Sequence, residues 1–259
     1  MNHFTKLIIE FANQRNYLDE LFRVYPTIPE DIREIDERVW KRVVEAYNKG
    51  EMEKLINILL SLDLFPIKDS YVAYLRRDPS AIERNPRTVQ RLYGRLREMG
   101  LDKIWDRVTE PKETNRQIGP MFKRWVQKGV LGASIHSIDA FPSSTGDAIL
   151  DATDAQMMIF AQEHLNYTGE KGLDFIARFN NKYVAGEAKF LTDFGGHQNA
   201  QFNDAMALLE NRDIKAVTIA ILDGVLYIKG RNKMHRAITK NPNYNIMSAL
   251  VLREFLYQL

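Results

Sequence analysis

Apolar residues recur at three- and four-residue spacing through the first half of the chain, which is the pattern of amphipathic helices. This pattern predicts helices over Lys6–Val24, Glu30–Lys49 and Met52–Leu62. Proline and glycine residues separate these segments, as expected at the ends of helices. We therefore interpret residues 1–132 as a helical region.

The pattern changes after about Gly132, where short apolar runs alternate with helical segments. The predicted elements are, in order, a helix over Asp147–Leu165, a hairpin turning at Asn180-Asn181, a helix over His197–Asn211, a strand over Lys215–Leu222, a turn at Asp223-Gly224, a return strand over Val225–Lys229, and helices near Arg231–Thr239 and Tyr244–Tyr257. This order predicts an α/β (α+β) fold in which helices flank a mixed central sheet. The second predicted domain spans 133–259.

The predicted hairpin brings three charged residues together. With Asn180-Asn181 as the turn, Asp174 stands opposite Glu187, and Lys189 shares their face because strand side chains alternate. The Cβ atoms of such a cross-strand pair lie roughly 4.5–5.5 Å apart. Two carboxylates this close destabilise a largely apolar hairpin unless a cation lies between them. The register therefore predicts a metal site.

The spacing Asp174-x12-Glu187-Ala188-Lys189 resembles the motif of the PD-(D/E)xK nuclease superfamily, which includes many type II restriction endonucleases. The surrounding order of helix, hairpin, helix and strand agrees with that restriction-endonuclease-like fold, although Leu173 stands where the family often has proline. The resemblance implies that Asp174 and Glu187 bind Mg²⁺ and that the Ala188 carbonyl adds a ligand. It also implies that Lys189 orients or activates the attacking water. An ordinary surface hairpin with a carboxylate–lysine pair is the alternative.

The predicted helix before the hairpin carries further acids. Asp147, Asp151 and Asp154 stand at i, i+4 and i+7, and so near one helical face. We expect Asp154 or Asp151 to add a third catalytic carboxylate, with Glu163 as the next choice. In the alternative interpretation, Asp147 stabilises the helix N-terminus and the other acids face solvent.

A polar segment after the hairpin is a candidate for DNA contact. Gly195-Gly196 opens a helix whose first turns carry His197, Gln198 and Gln201. A helix N-terminus favours phosphate, and glutamine can bind adenine through two hydrogen bonds. An ordinary polar helix accounts for the same pattern.

Positive charge is concentrated between Tyr71 and Val130, where 14 Lys and Arg stand against 7 Asp and Glu. Such an excess suits a phosphate backbone. Within it, Arg87, Arg91 and Arg95 form a stripe opposite an apolar face, on a helix that resembles a helix-turn-helix recognition helix. A solvated amphipathic helix is the alternative.

A second basic segment follows. Arg116, Gln117 and Lys123 stand beside Phe122 and Trp125, and are candidates for binding bases or phosphates. A linker that packs under the two aromatic residues is the alternative.

Composition narrows the class of protein. The chain is 45% hydrophobic and 27% charged, as in soluble globular proteins. It has no cysteine, which excludes disulfides and thiolate zinc sites and fits a reducing cytoplasm. The start of the chain lacks the pattern of a signal peptide, and the most apolar segments, such as Ala216–Ile228, are too short to span a bilayer. We expect a cytoplasmic protein without membrane contact.

Together these features predict an Mg²⁺-dependent type II restriction endonuclease that cleaves double-stranded DNA at a specific short sequence. The resemblance further implies a homodimer, because a palindromic target needs two active sites related by twofold symmetry. It also implies a cognate methyltransferase in the same host. The alternatives are a repair or junction-resolving nuclease of the same superfamily, and a non-catalytic DNA-binding regulator that uses the helix of Arg87.

Overall fold

The computed structural model describes residues 1–26, 33–111 and 114–259, and only the backbone of residues 114–117. The chain divides into two compact units. One combines Met1–Thr27 with Thr114–Leu259, and the other is Ile28–Glu113. This division differs from the predicted boundary at residue 132, because the first two helices and the helix that precedes the sheet belong to the unit that contains the sheet.

The first unit is built on a six-stranded sheet whose spatial order follows the chain. Its strands are β1 (Ser134–Ser137), β2 (Ala148–Asp151), β3 (Phe175–Phe179), β4 (Lys182–Leu191), β5 (Val217–Gly224) and β6 (Asn245–Met247). The pairs β2–β3 and β3–β4 are antiparallel, and the other three pairs are parallel. This mixed sheet with flanking helices confirms the predicted fold class.

Helices surround the sheet and form the second unit. The chain begins with α1 (His3–Gln14) and α2 (Tyr17–Val24). The second unit contains α3 (Glu37–Lys49), α4 (Met52–Leu60), α5 (Ser70–Arg77), α6 (Ala81–Arg84), α7 (Pro86–Met99) and α8 (Leu101–Val108). The chain returns to the first unit with α9 (Thr114–Gln127), α10 (Asp154–Leu165), α11 (Gly196–Glu210), α12 (Lys233–Lys240) and α13 (Leu252–Tyr257).

The hairpin of β3 and β4 forms as the sequence predicts. Asn180 and Asn181 both have positive φ, at 48° and 62°, which are the dihedral angles of a type I′ turn. Phe179 pairs with Lys182, and the register continues to Phe175 opposite Gly186. Every residue of β3 is buried, so the register is fixed by the core as well as by the turn.

The predicted helix over Asp147–Leu165 is wrong in its first part. Residues 148–151 form β2, and the helix begins only at Asp154, after a capping box between Thr153 and Gln156. The apolar residues of β2 are fully buried between β1 and β3. The three aspartates therefore do not share one helical face.

The predicted hairpin turn at Asp223-Gly224 is also wrong. Both residues belong to β5, which leads into a 3₁₀ turn over Val225–Tyr227 rather than a return strand. Gly224 has a φ of 102°, and a Cβ atom there would lie 2.0 Å from the carbonyl oxygen of Leu191. The glycine is thus required by the close approach of β4, not by a hairpin.

Asp223 is fully buried and belongs to a hydrogen-bond network. It accepts hydrogen bonds from the hydroxyls of Tyr17 (3.1 Å) and Tyr25 (2.9 Å), from the backbone N–H of Ala249 (3.2 Å) and from the Ser248 hydroxyl. This network joins the segment of α2 to the end of β5. An unpaired carboxylate at this depth would be costly, and four donors offset that cost.

The remaining differences concern the ends of elements. The predicted helix over Lys6–Val24 is divided between α1 and α2, and Tyr244–Tyr257 contains β6 before α13. The predicted helix from Glu30 begins at Glu37, where Asp36 accepts a hydrogen bond from the N–H of Arg38. Residues 30–32 of that prediction lie outside the described residues.

Candidate active site

The two strands of the hairpin position three charged side chains. Asp174 immediately precedes β3, and its N–H donates to the carbonyl oxygen of Gly186 at 3.1 Å, which extends the strand pairing by one residue. Glu187 and Lys189 stand two residues apart on β4, and they face the same side because successive strand side chains alternate. Gly186 faces the other side, where a Cβ atom would lie 2.8 Å from Ile219.

The three side chains converge on one point. The Lys189 ammonium Nζ lies 2.5 Å from Asp174 Oδ2 and 2.6 Å from Glu187 Oε2. The backbone N–H of Ala188 donates to the same Asp174 oxygen at 2.9 Å. The predicted convergence of Asp174, Glu187 and Lys189 is therefore observed, and a buried strand holds it.

Burial and charge shift the pKa values of this group. Burial, and then repulsion from Asp174, raises the pKa of Glu187 from 4.5 to about 8, although Lys189 acts in the opposite direction. Burial by itself would lower the pKa of Lys189, but attraction to Asp174 and Glu187 outweighs it and raises the pKa above its ordinary value. Lys189 is therefore a cation at every physiological pH, whereas Glu187 retains a proton at neutral pH.

The donor set fits a hard divalent cation. Two carboxylates on adjacent strands offer oxygen ligands, and Mg²⁺ takes one or two protein carboxylates together with waters and substrate phosphate. A divalent cation bound beside Asp174 and Glu187, in addition to the Lys189 ammonium, would also relieve the repulsion between the two carboxylates that raises the Glu187 pKa. Within residues 1–26, 33–111 and 114–259, no three or more His, Cys, Asp or Glu side chains are grouped as a metal site.

A sequence model of the family described as Tsp45I type II restriction enzyme matches residues 2–259. The chain belongs to this family. It is therefore a site-specific deoxyribonuclease, a restriction endonuclease that cuts DNA. Enzymes of this class generally use divalent metal ions. A search of curated proteins gave no match.

The sequence predicts that the most apolar segments of the chain are too short to span a membrane. In the part of the Tsp45I-family chain that the structure describes, no helix combines the length and apolar character needed to cross a membrane.

Two acids predicted to assist the enzyme lie near the start of α10. Asp151 ends β2, and its Oδ1 accepts a hydrogen bond from Gln127 at 2.9 Å. Asp154 opens α10, pairs with Lys123 at 2.5 Å, and accepts the N–H of Leu173 on its backbone carbonyl oxygen at 3.3 Å. Asp151 and Lys123 line a cleft that also reaches Asp174. The catalytic role of both acids stays a prediction.

The loop after β4 and the start of α11 hold the residues predicted to contact DNA there. His197 is exposed, and its Nε2 lies 3.5 Å from Gln201 Nε2. Gln198 is instead buried, and its Oε1 accepts the N–H of Thr192 at 3.1 Å. In this conformation Gln198 therefore fixes the loop between β4 and α11, and it does not face solvent.

The arginine stripe of the enzyme lies on α7. Pro86 occupies its first turn and Gly100, with a φ of 79°, follows its last residue, as predicted. Arg87, Arg91 and Arg95 are all exposed. Arg91 pairs with Asp69 at 2.5 Å. Arg116 and Gln117 lie in α9, and their side chains are outside the described part of the structure.

Two tyrosines near the active site were missed by the sequence analysis. Burial, and then the charge of Glu187, raises the pKa of Tyr167, which follows α10. Asp174 is the last of several causes that raise the pKa of Tyr25, after burial and the effects of Asp223 and Tyr227. Neither tyrosine belongs to a motif, and only the folded structure brings it near the carboxylates.

Proposed function

We propose that the enzyme hydrolyses phosphodiester bonds of double-stranded DNA at a PD-(D/E)xK-type site made of Asp174, Glu187 and Lys189, with Mg²⁺ as cofactor. The observation that carries the proposal is the Lys189 ammonium, which lies within 2.6 Å of carboxylate oxygens from both strands. Family membership supplies the reaction class and the substrate.

Asp174 and Glu187 would hold the cation, and the Ala188 carbonyl is proposed as a further ligand. When bound, Mg²⁺ lowers the pKa of a coordinated water and offsets negative charge on the phosphate. Asp154 or Asp151 is proposed to contribute an additional carboxylate.

The side chain of Lys189 acts as a donor rather than as a base. The charge of Asp174, and then of Glu187 when it is ionised, holds it in the protonated form, so it has hydrogen bonds and positive charge to offer the attacking water or a phosphoryl oxygen. Asp174 is fixed by the Ala188 N–H, which restricts the carboxylate to one orientation. The active site is therefore preorganised by the backbone of β4 itself.

We propose that each unit carries its own DNA-contacting residues. Lys123, His197 and Gln201 belong to the unit that carries the active site, where the buried Gln198 fixes the loop before α11, and α7 carries the arginine stripe of the other unit. Arg116 and Gln117 remain further candidates. A palindromic target implies a homodimer in the cytoplasm, and the host requires a cognate methyltransferase to protect its own DNA.

Cleavage of plasmid DNA tests the proposed site. With Mg²⁺, the wild-type enzyme should give discrete fragments, and Asp174→Ala should give none while still shifting DNA in a gel. Asp213→Ala is a matched control, because Asp213 is an exposed acid after α11 that the mechanism does not use. Cleavage by Asp174→Ala would exclude Asp174 from the active site.

A further inference from the structure

We propose that α5, α6 and α7 form one DNA-contact surface in which Tyr71 and Tyr74 lie against the sugar–phosphate backbone between arginine side chains. The inference deepens the proposed function, since it takes duplex DNA as the ligand. It adds residues that neither the family motif nor the arginine stripe identifies.

The two tyrosines are exposed aromatic side chains in an otherwise ordinary helical unit. Tyr71 is 62% exposed and Tyr74 is 61% exposed. Among the described residues of 33–111, they are the only large hydrophobic side chains that are exposed. They stand three residues apart on α5, and so adjacent on its surface, while Val72 and Leu75 of the same helix are buried. The folding of α5 does not account for the exposure.

Arginines are fixed at both ends of this pair. The guanidinium carbon of Arg91 lies 5.6 Å from the centre of the Tyr71 ring, and Asp69 pairs with Arg91 at 2.5 Å. At the other end of α5, Asp78 pairs with Arg84, also at 2.5 Å. Each acid therefore holds one arginine beside an end of the tyrosine pair.

The charge of the surface matches a phosphate backbone. Residues 69–99 carry seven arginines against four acidic residues. Two of those acids, Asp69 and Asp78, are occupied by Arg91 and Arg84. A guanidinium has five donors, so an arginine held by a carboxylate can still donate to a phosphate.

The chemistry of tyrosine favours the backbone of the duplex over the bases. Its ring packs on an apolar sugar while its hydroxyl donates a hydrogen bond, and most protein–DNA hydrogen bonds go to phosphate or sugar. Two adjacent tyrosines beside arginines can therefore contact neighbouring nucleotides of one strand.

Binding to a mixed-sequence DNA duplex in EDTA tests the surface without any need for cleavage. Fluorescence anisotropy should show that Tyr71→Ala and Tyr74→Ala each weaken binding by about tenfold, since each removes a hydrogen bond to a charged phosphate. Arg84→Ala should lower the salt dependence of binding by less than about 0.9 in log–log slope, because Asp78 already pairs with Arg84. Lys54→Ala is the matched charge control, because Lys54 lies on α4 and pairs with Glu51. It should bind with the wild-type slope.

Three results would overturn the inference. One is wild-type affinity in the folded tyrosine variants, as judged by an unchanged melting temperature, while Arg87→Ala weakens binding. Another is equal iodination of Tyr71 and Tyr74 in the wild-type enzyme with and without duplex. A tyrosine variant that loses self-association but keeps its DNA affinity would also reject DNA as the occupant. None of these outcomes depends on Asp174, so the active-site proposal stands or fails separately.

Discussion

Replacement of Glu187 by glutamine should make the metal-free enzyme more stable as pH rises, relative to the wild type. The pKa of Glu187 is about 8 in the folded protein, against an ordinary value of 4.5. A raised pKa in the folded state gives stability that is complete below the unfolded value of 4.5. That stability is lost as pH rises through the folded value of about 8. The amide that replaces the carboxyl group would not titrate, so Glu187→Gln removes this loss.

The size of the stability difference follows from the pH range between the unfolded and folded pKa values of Glu187. Inside it, the folded state binds about one more proton than the unfolded state, and the free energy of unfolding falls by about 1.4 kcal/mol per pH unit. Between about pH 5.5 and 7.5, the wild type should lose roughly 2 to 3 kcal/mol relative to Glu187→Gln. Other titrating groups are common to both proteins, and their effects cancel in the difference.

Urea denaturation in EDTA at three pH values measures this difference directly. Glu210→Gln is the control, because Glu210 is an exposed acid at the end of α11 and its substitution should give a difference that does not change with pH. Mg²⁺ should stabilise the wild type and leave Glu187→Gln nearly unaffected, since a ligand stabilises only the protein that binds it. A pH-independent difference for Glu187→Gln would refute the assigned protonation state.

Three further predictions concern the same chemistry and the DNA contacts. At pH 7, Mg²⁺ binding should release about one proton per site, measured by calorimetry in buffers of different ionisation enthalpy, because the Glu187 carboxyl must lose its proton to bind metal. No dependence on buffer would contradict this. Lys189→Ala should lower kcat by roughly 100-fold or more with little change in DNA affinity, as measured by single-turnover cleavage and anisotropy. Equal losses in both would indicate a structural role. Arg87→Ala and Arg91→Ala should each reduce the salt slope of DNA binding by up to about 0.9, with Arg91 giving the smaller change because Asp69 already pairs with it. Wild-type slopes would remove α7 from the DNA interface.

The hairpin could be predicted from sequence because its determinants are local. Two asparagines fix the turn, and strand alternation then brings Asp174, Glu187 and Lys189 to one face. The fold class followed from the order of such elements. In these parts, local preference and tertiary structure agree.

Elements whose identity depends on distant partners could not be predicted. β2 and β6 are too short to show a period, and each exists because a neighbouring strand supplies its hydrogen bonds. The Asp223-Gly224 pair has the sequence of a turn. Its actual role depends on Tyr17 and Tyr25, which donate to Asp223 from about 200 residues away along the chain. The missed tyrosines beside the carboxylates have the same explanation.

The hydrogen bond that links α1 to β6 determines when the catalytic unit can finish folding during translation. Thr5 Oγ1 donates to the Ile246 carbonyl oxygen at 2.6 Å across 241 residues of chain. A growing polypeptide on the ribosome cannot close this contact until β6 has been made, whereas the residues of the second unit can fold earlier. Translation therefore delays completion of the catalytic unit, and the cell's DNA is not exposed to a finished nuclease before β6 has been synthesised.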